Sequence, residues 1–144
     1  MNGLFTWFDS QKDTGYLILR VVLGVVLVVS GYFKLFVFGF EGVAGFFTKI
    51  DLFAIPLLAY LVPLLEFFGG IAIILGVFTR LLSVWIIVEF ALIVVYVRPV
   101  LMTQGWNDVR VDILMVALGI FFIANGSGPR SLAAKFFPDK IWLQ

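Results

Sequence analysis

The sequence predicts an all-α integral membrane protein, a bundle of four transmembrane helices, and three observations predict it. Of the 144 residues, 62% are hydrophobic and 13% charged, and the mean hydropathy is +1.13, a balance foreign to water-soluble domains. The apolar residues gather into four runs of the length that crosses a hydrocarbon core of about 30 Å at a helical rise of 1.5 Å per residue. None of these runs shows the short alternating segments of a barrel strand. Irregular backbone facing lipid would leave its polar groups unpaired, so each run reads as a helix.

The first span is Leu17 to Phe38, the second Leu57 to Val77, the third Leu81 to Val97, and the fourth and shortest about Val109 to Ala124. Only GVFTR separates the second span from the third, which forces a tight antiparallel hairpin. Between the first and second lies GFEGVAGFFTKIDLFAIP, with Val43, Phe46, Phe47 and Ile50 at helical spacing. It reads as a short interfacial helix with Glu41, Lys49 and Asp51 toward water. Pro99, Gly105 and Trp106 mark the third connection, the Trp as an interface anchor. After NGSGPRS, Ala133, Lys135, Phe136 and Phe137 suggest a short amphipathic surface segment ended by Pro138. Such a layout leaves no room for a separate soluble domain, so residues 1–144 read as one membrane domain. The opening MNGLFTWFDSQKDTG lacks a basic n-region and a small-residue cleavage site, so the first span is expected to stay attached.

Basic residues set the expected orientation. Lys12, Arg20, Arg80, Arg130, Lys135 and Lys140 fall on the side of the termini, against Lys34, Lys49, Arg98 and Arg110 on the other. The positive-inside rule then places both termini in the cytoplasm.

Composition also excludes chemistry. With no Cys and no His, the chain has no thiolate nucleophile, no disulfide relay, no histidine-ligated haem, and none of the common zinc, copper or iron–sulfur ligand sets. No metal site is expected and no cofactor is intrinsic, so the chain is not expected to be catalytic on its own. A formal net charge of +1 gives nucleic acid nothing to hold.

Charges inside the spans therefore carry the argument. Lys34 lies 14 residues beyond Arg20, Glu66 14 residues before Arg80, and Asp112 14 residues before Gly126, where the last apolar run ends. At the helical rise all three sit roughly 21 Å from the cytoplasmic interface, in one layer. Glu89 lies nine residues from Arg80, about 13 Å up, nearer the midplane and without an evident partner. Charges in a span are costly and normally face the bundle interior, pair, or mark a pathway. Lys34, Glu66, Glu89 and Asp112 are thus the candidate polar cluster or ligand site. Lys34 snorkelling outward, Asp112 solvated at the mouth of a short span, and a structural Lys34–Glu66 salt bridge are the plainer alternatives. Arg20, Arg80, Arg98 and Arg110 are candidate lipid or partner contacts, the first two also as caps of helix ends. Gly31, Gly69, Gly70 and Gly76 are candidate packing positions, as are Gly24, Ser30 and Gly119, because in lipid close backbone approach holds helices together.

LRVVLGVVLVVSGYFK (19–34), LLEFFGGIAIILGVFTR (64–80) and the four-span layout resemble the DoxX family of small prokaryotic inner-membrane proteins. In that family an Arg opens the first span, Gly-x-x-Lys closes it, a Glu followed by paired glycines fills the second, and a Gly-x-x-Thr-Arg hairpin leads into the third. The matching positions are Arg20, Gly31, Lys34, Glu66, Gly69, Gly70, Gly76, Thr79 and Arg80, within a resemblance running roughly from residue 16 to residue 126. Glu89 and the aromatic tail lie outside the motif. The family takes its name from a membrane subunit associated with thiosulfate:quinone oxidoreductase. The resemblance implies an inner-membrane accessory subunit of a redox or respiratory complex, with quinone as the cofactor and membrane lipids and redox subunits as partners. A small transporter or proton-conducting homo-oligomer, using Glu66 and Glu89 as steps at two depths, and a purely structural scaffold are the alternatives.

Overall fold

The computed structural model describes residues 11–52, 55–102, 105–140 and 143, and among them every regular element is helical. The expectation that the first span stays attached rests on residues 1–15, of which 1–10 lie outside the described residues. Helix α1, Lys12–Tyr32, widens into a π-helical turn over Phe33–Phe38. Gly39, at φ 68°, takes a backbone conformation that side chains resist and lets the chain turn into α2, Gly39–Lys49. Helix α3 spans Ile55–Leu75 and continues through the buried Pro63. After a turn in which Gly76 and Phe78 both have positive φ, α4 covers Thr79–Leu92, widens into a second π-helical stretch at Ile93–Val97, and ends at Arg98–Val100. Helix α5 is Trp106–Asn125, and α6 is the short Leu132–Phe136.

Three stretches are long and apolar enough to cross a membrane: Lys12–Lys49, which Gly39 divides, Pro56–Leu75 and Thr79–Val100. Helix α5 has 20 residues but carries Asp108, Arg110 and Asp112 in its first two turns.

Packing is that of a membrane protein, apolar outside as well as inside. Leu23, Leu27, Ile73, Ile86, Phe90, Met115 and Phe122, drawn from α1, α3, α4 and α5, form the central core. Ile18, Val22, Phe68, Leu81, Val88, Leu114 and Ile120 on the same four helices face outward. Lipid offers little hydrophobic drive for helix association, so contact area has to come from close approach. At the α1–α3 crossing a Cβ on Gly70 would stand 2.8 Å from the carbonyl oxygen of Gly24, and one on Gly31 2.8 Å from the Cα of Phe67. Gly119 lets α5 lie against Ile87 and the Ser83 carbonyl of α4. Gly69 meets only the tip of Leu82, and Gly76 serves the turn instead of a helix crossing: its positive φ and missing Cβ make space for the Arg20 guanidinium.

Helix α2 forms where the apolar spacing predicts one. Val43, Phe47 and Ile50 turn inward into a second core with Ala59, Val62 and Val97, whereas Glu41, Lys49 and Asp51 are exposed. The Tyr96 hydroxyl fastens the following turn by donating to the Ile50 and Asp51 carbonyls at 3.2 and 3.0 Å.

The end of the bundle holding the termini is closed by arginines. Arg20, 2% exposed, donates to the Ser127 and Arg130 carbonyls at 2.6 and 2.8 Å. Arg80 donates to the Ile123 carbonyl at 2.8 Å, capping the last turn of α5, where free carbonyls and the helix dipole favour a cation. Both arginines bond backbone carbonyls of the same chain, because the loop after α5 folds back over them. The tail is likewise held to the bundle: Ala133 N–H faces the Gly76 carbonyl, and Phe78 N–H donates to Leu143 at 2.7 Å.

Substituting Gly70→Leu forces side-chain atoms into the α1 backbone and is expected to destabilise the folded bundle by about 1–3 kcal/mol. Gly45→Ala, with open space around it, is expected to leave stability unchanged or slightly raised. Thermal unfolding of both variants in one detergent checks the contrast.

Candidate functional site

Ser30 and Lys34 lie four residues apart on α1, on one face. Helical side chains lean toward the helix amino terminus, so Lys34 reaches back one turn to the level of Ser30. Glu66 of α3, 1% exposed, meets both. Its Oε1 accepts from Lys34 Nζ at 2.5 Å and from Ser30 Oγ at 3.0 Å. The second oxygen, Oε2, is buried with no hydrogen-bond partner among the described residues.

A second pair four residues apart, Trp85 and Glu89 of α4, faces this one. Glu89 is 7% exposed and stands against Glu66, Lys34 and the Trp85 indole. Among the described residues neither of its oxygens, nor the Trp85 Nε1–H, makes a hydrogen bond of regular geometry, although Glu66 and the Trp85 indole both stand near enough to Glu89 to act as its partners. One ammonium is thus set beside two carboxylates, a single positive charge facing two acids.

The layer expected from residue counting, Lys34 with Glu66 and Asp112, is therefore corrected: the third member is Glu89. Counting Glu66 from Arg80 included the residues of the turn, which add no helical rise. Measured from the helix ends, Glu66 lies nine residues before Leu75 and Glu89 ten residues after Thr79, so the two acids share a depth. Asp112 joins a different pair, accepting from Arg98 Nε at 2.8 Å. That pairing engages Arg98 inside the chain, and Arg110 donates to Asn107 Oδ1 at 2.9 Å. Trp85 joins the site without having been a candidate residue, and Ser30, a candidate packing position, bonds Glu66 instead. The i, i+4 spacings to Glu89 and Lys34 were the available signal.

Beside the cluster opens a cavity of about 670 Å³, within the ~300–1,000 Å³ range of pockets that bury small organic ligands. Its walls are mostly apolar, with Phe38, Phe46 and Phe47 on one side and Trp85, Leu92 and Val97 on the other, and Lys34, Glu89 and Arg98 supply its charges. Both π-helical stretches border it, through Phe38 and through Ile93 and Val97. Widened turns of this kind recur at functional sites because they displace the backbone from a regular helix path. Helix α2 closes the cavity from the end of the bundle through Gly42, Val43, Phe46 and Phe47.

The sequence model of the DoxX family matches residues 15–99, more than half of the chain and all of the Lys34, Glu66, Trp85 and Glu89 cluster, and the chain belongs to that family. It is 29% identical over 132 residues to a Bacillus subtilis protein named "Putative oxidoreductase CatD", covering 92% of this chain and 94% of that one. It is 25% identical over 132 residues to the "Inner membrane protein YqjF" of Escherichia coli, covering 91% and 97%. No solved structure matches the chain.

Removing Lys34 alone, as Lys34→Met, strands two buried carboxylates and is expected to destabilise the protein by roughly 3 kcal/mol or more. Lys34→Met combined with Glu66→Gln removes the pair together and is expected to recover most of that loss. Unfolding of the two single variants and the double variant gives the coupling energy directly.

Proposed function

We propose that the chain is a four-span accessory subunit of a redox system in the inner membrane and that the cavity beside Lys34 and Glu89 receives the ring of a quinone. The observation that carries this reading is the cavity itself: an apolar, aromatic-walled space with unpaired buried polar atoms at one side. With no Cys or His in the chain, electrons have to be carried by a bound organic group or by a partner. The name of the Bacillus subtilis relative supports a redox role, and that of the Escherichia coli relative supports the membrane.

A quinone, when bound, supplies exchange of two electrons and two protons. The chain's own residues do the rest. Phe38, Phe46, Phe47 and Trp85 offer faces against which a flat ring packs, Lys34 and the Trp85 N–H offer donors, and Glu89 offers an acceptor that also holds or releases a proton. Arg98, held by Asp112, brings a second positive charge to the wall.

In this reading α5 crosses the membrane as well. It runs beside α4 from the Arg98–Asp112 pair to the Arg80–Ile123 bond, with its charged first turns at the outer interface and Leu114 and Ile120 toward lipid. Both termini then share one side, the cytoplasmic one by the distribution of basic residues. Partner subunits or a second copy would add to the exposed apolar faces. A proton relay with acids at two depths loses its geometry, since Glu66 and Glu89 lie side by side. A scaffold alone accounts for the ion pair but not for the open space beside it.

Two measurements test this reading. Protein purified in native lipid is expected to retain quinone detectable by mass spectrometry, and Leu92→Trp, which sets an indole into the cavity wall and narrows it, to retain less. Wild-type protein free of quinone, in preparations where bulk lipid is retained, defeats the ligand reading. Because the chain has no native Cys, Lys135→Cys and Glu41→Cys serve as clean topology reporters. A membrane-impermeant thiol reagent added outside intact cells is expected to label the second and not the first.

A further inference from the structure

Three ionisable side chains meet inside the bundle, and their charges do not balance. Glu66 and Glu89 are both buried, and they stand near enough to each other to act as partners. Lys34 Nζ spends its charge on Glu66 Oε1 at 2.5 Å, the oxygen that also accepts from Ser30. Glu66 Oε2 and both Glu89 oxygens make no regular hydrogen bond among the described residues. Charged groups on the neighbouring elements do not make up the difference. Arg98 lines the same cavity but is committed to Asp112 of α5 at 2.8 Å. Helix α2 contributes Gly42, Val43, Phe46 and Phe47 to the wall, and Trp85 of α4 contributes a neutral indole. Among the described residues, two cations thus face three acids.

Ionised carboxylates carry acceptors alone, so two of them side by side repel and cannot bond each other. One proton between them changes both facts: the O–H of one acid donates to the other, and the net charge of the group falls to zero. At a surface water would screen the repulsion, whereas inside a membrane span an unbalanced charge is costly. We propose that Glu66 and Glu89 form a proton-binding site, in which one proton is held between Glu66 Oε2 and a Glu89 oxygen at neutral pH and exchanges through the cavity on the Glu89 side. Lys34 balances the negative charge that remains. The proton belongs to the pair and to neither acid separately, because with one ammonium present either acid alone is balanced without it. Glu89 is the open end of the pair, since it lines the cavity and Glu66 does not. Exchange moves a proton alone: the O–H bond at Glu89 breaks as one forms to an acceptor in the cavity, and the pair carries one uncompensated negative charge until a proton returns. This goes beyond the quinone reading and does not rest on it, since any occupant that gives or takes a proton meets the same pair.

Infrared spectroscopy of the full-length protein in lipid nanodiscs at neutral pH tests the shared proton. Wild-type protein is expected to show the C=O stretch of a protonated carboxyl, shifted in D₂O. Glu66→Gln and Glu89→Gln are each expected to lose that band, because each leaves one acid facing one ammonium. Absence of the band from wild-type protein overturns the proposal whether or not either variant folds. Persistence of the band in Glu66→Gln assigns the proton to Glu89 alone and overturns sharing, and persistence in Glu89→Gln overturns it likewise. Dicyclohexylcarbodiimide, an apolar reagent that consumes protonated carboxyls, locates the open end. The acid adds across a C=N bond of the reagent, its oxygen bonding the carbon and its proton passing to the nitrogen, so the adduct keeps the mass of both. Peptide mass mapping is expected to place the adduct on Glu89. An adduct on Glu66 alone, or on neither acid, overturns exchange through the cavity. None of these readouts depends on quinone, so failure of the quinone reading leaves them unchanged.

Discussion

The Glu66 carboxylate is the constraint on which the rest of the structure depends. It lies in the middle of a 21-residue apolar helix, where an uncompensated charge costs several kcal/mol. The cost is met from one neighbouring helix: Ser30 and Lys34 of α1 both bond the same oxygen. That bond fixes which face of α1 meets α3 and at what height. Gly24, Gly31 and Gly70 then lie along this contact, where the backbones come close enough that no Cβ fits. Register and close approach therefore reinforce each other, as they must where lipid supplies no hydrophobic force between helices. The other oxygen makes no regular hydrogen bond among the described residues and stands toward Glu89.

The two ends of the bundle solve their polar problems in opposite ways. At the end holding the termini, planar guanidinium groups with several fixed donors reach backbone carbonyls left free by a helix end and a turn. Arg20 and Arg80 thereby bind the loop after α5 and the α3–α4 hairpin into a closed cap. At the opposite end both α1 and α4 widen into π-helical turns, and α2 lies over the resulting space without filling it. Lys34, with a single positive charge, neutralises one of the two carboxylates it faces and not both. The closed end is tied together by these bonds, while the open end has a cavity lined by charged side chains, the room that a ligand site needs.

Much of this was legible one residue at a time. The four apolar runs, the hairpin at GVFTR and the amphipathic α2 follow from local periodicity and from turn chemistry, which the chain carries wherever it folds. Pairing of Lys34 with Glu66 was legible as two opposite charges on adjacent apolar spans, although the pair meets only because Lys34 leans back one turn. Glu66 was placed too far from the helix end by a few residues of turn counted as rise, which separated it from Glu89. Asp112 was assigned to the wrong cluster because the reach of Arg98 back along α4 depends on how α4 and α5 lie together. Arg20 and Arg80 looked like interface residues because nothing local announces that a loop more than a hundred residues after Arg20 and some forty after Arg80 will fold over them.

What the sequence by itself determined is the solvent, the helices, the family and the presence of charges that lipid cannot tolerate alone. Those properties depend on composition and on spacing within single segments. The tertiary structure decided which charges meet, which oxygens are left over, and that a cavity exists beside them. These depend on the relative placement of four helices, whose crossings are set by glycines at 24, 31, 70 and 119 and by π-helical turns. Such placement is a property of pairs of segments, and no single segment encodes it.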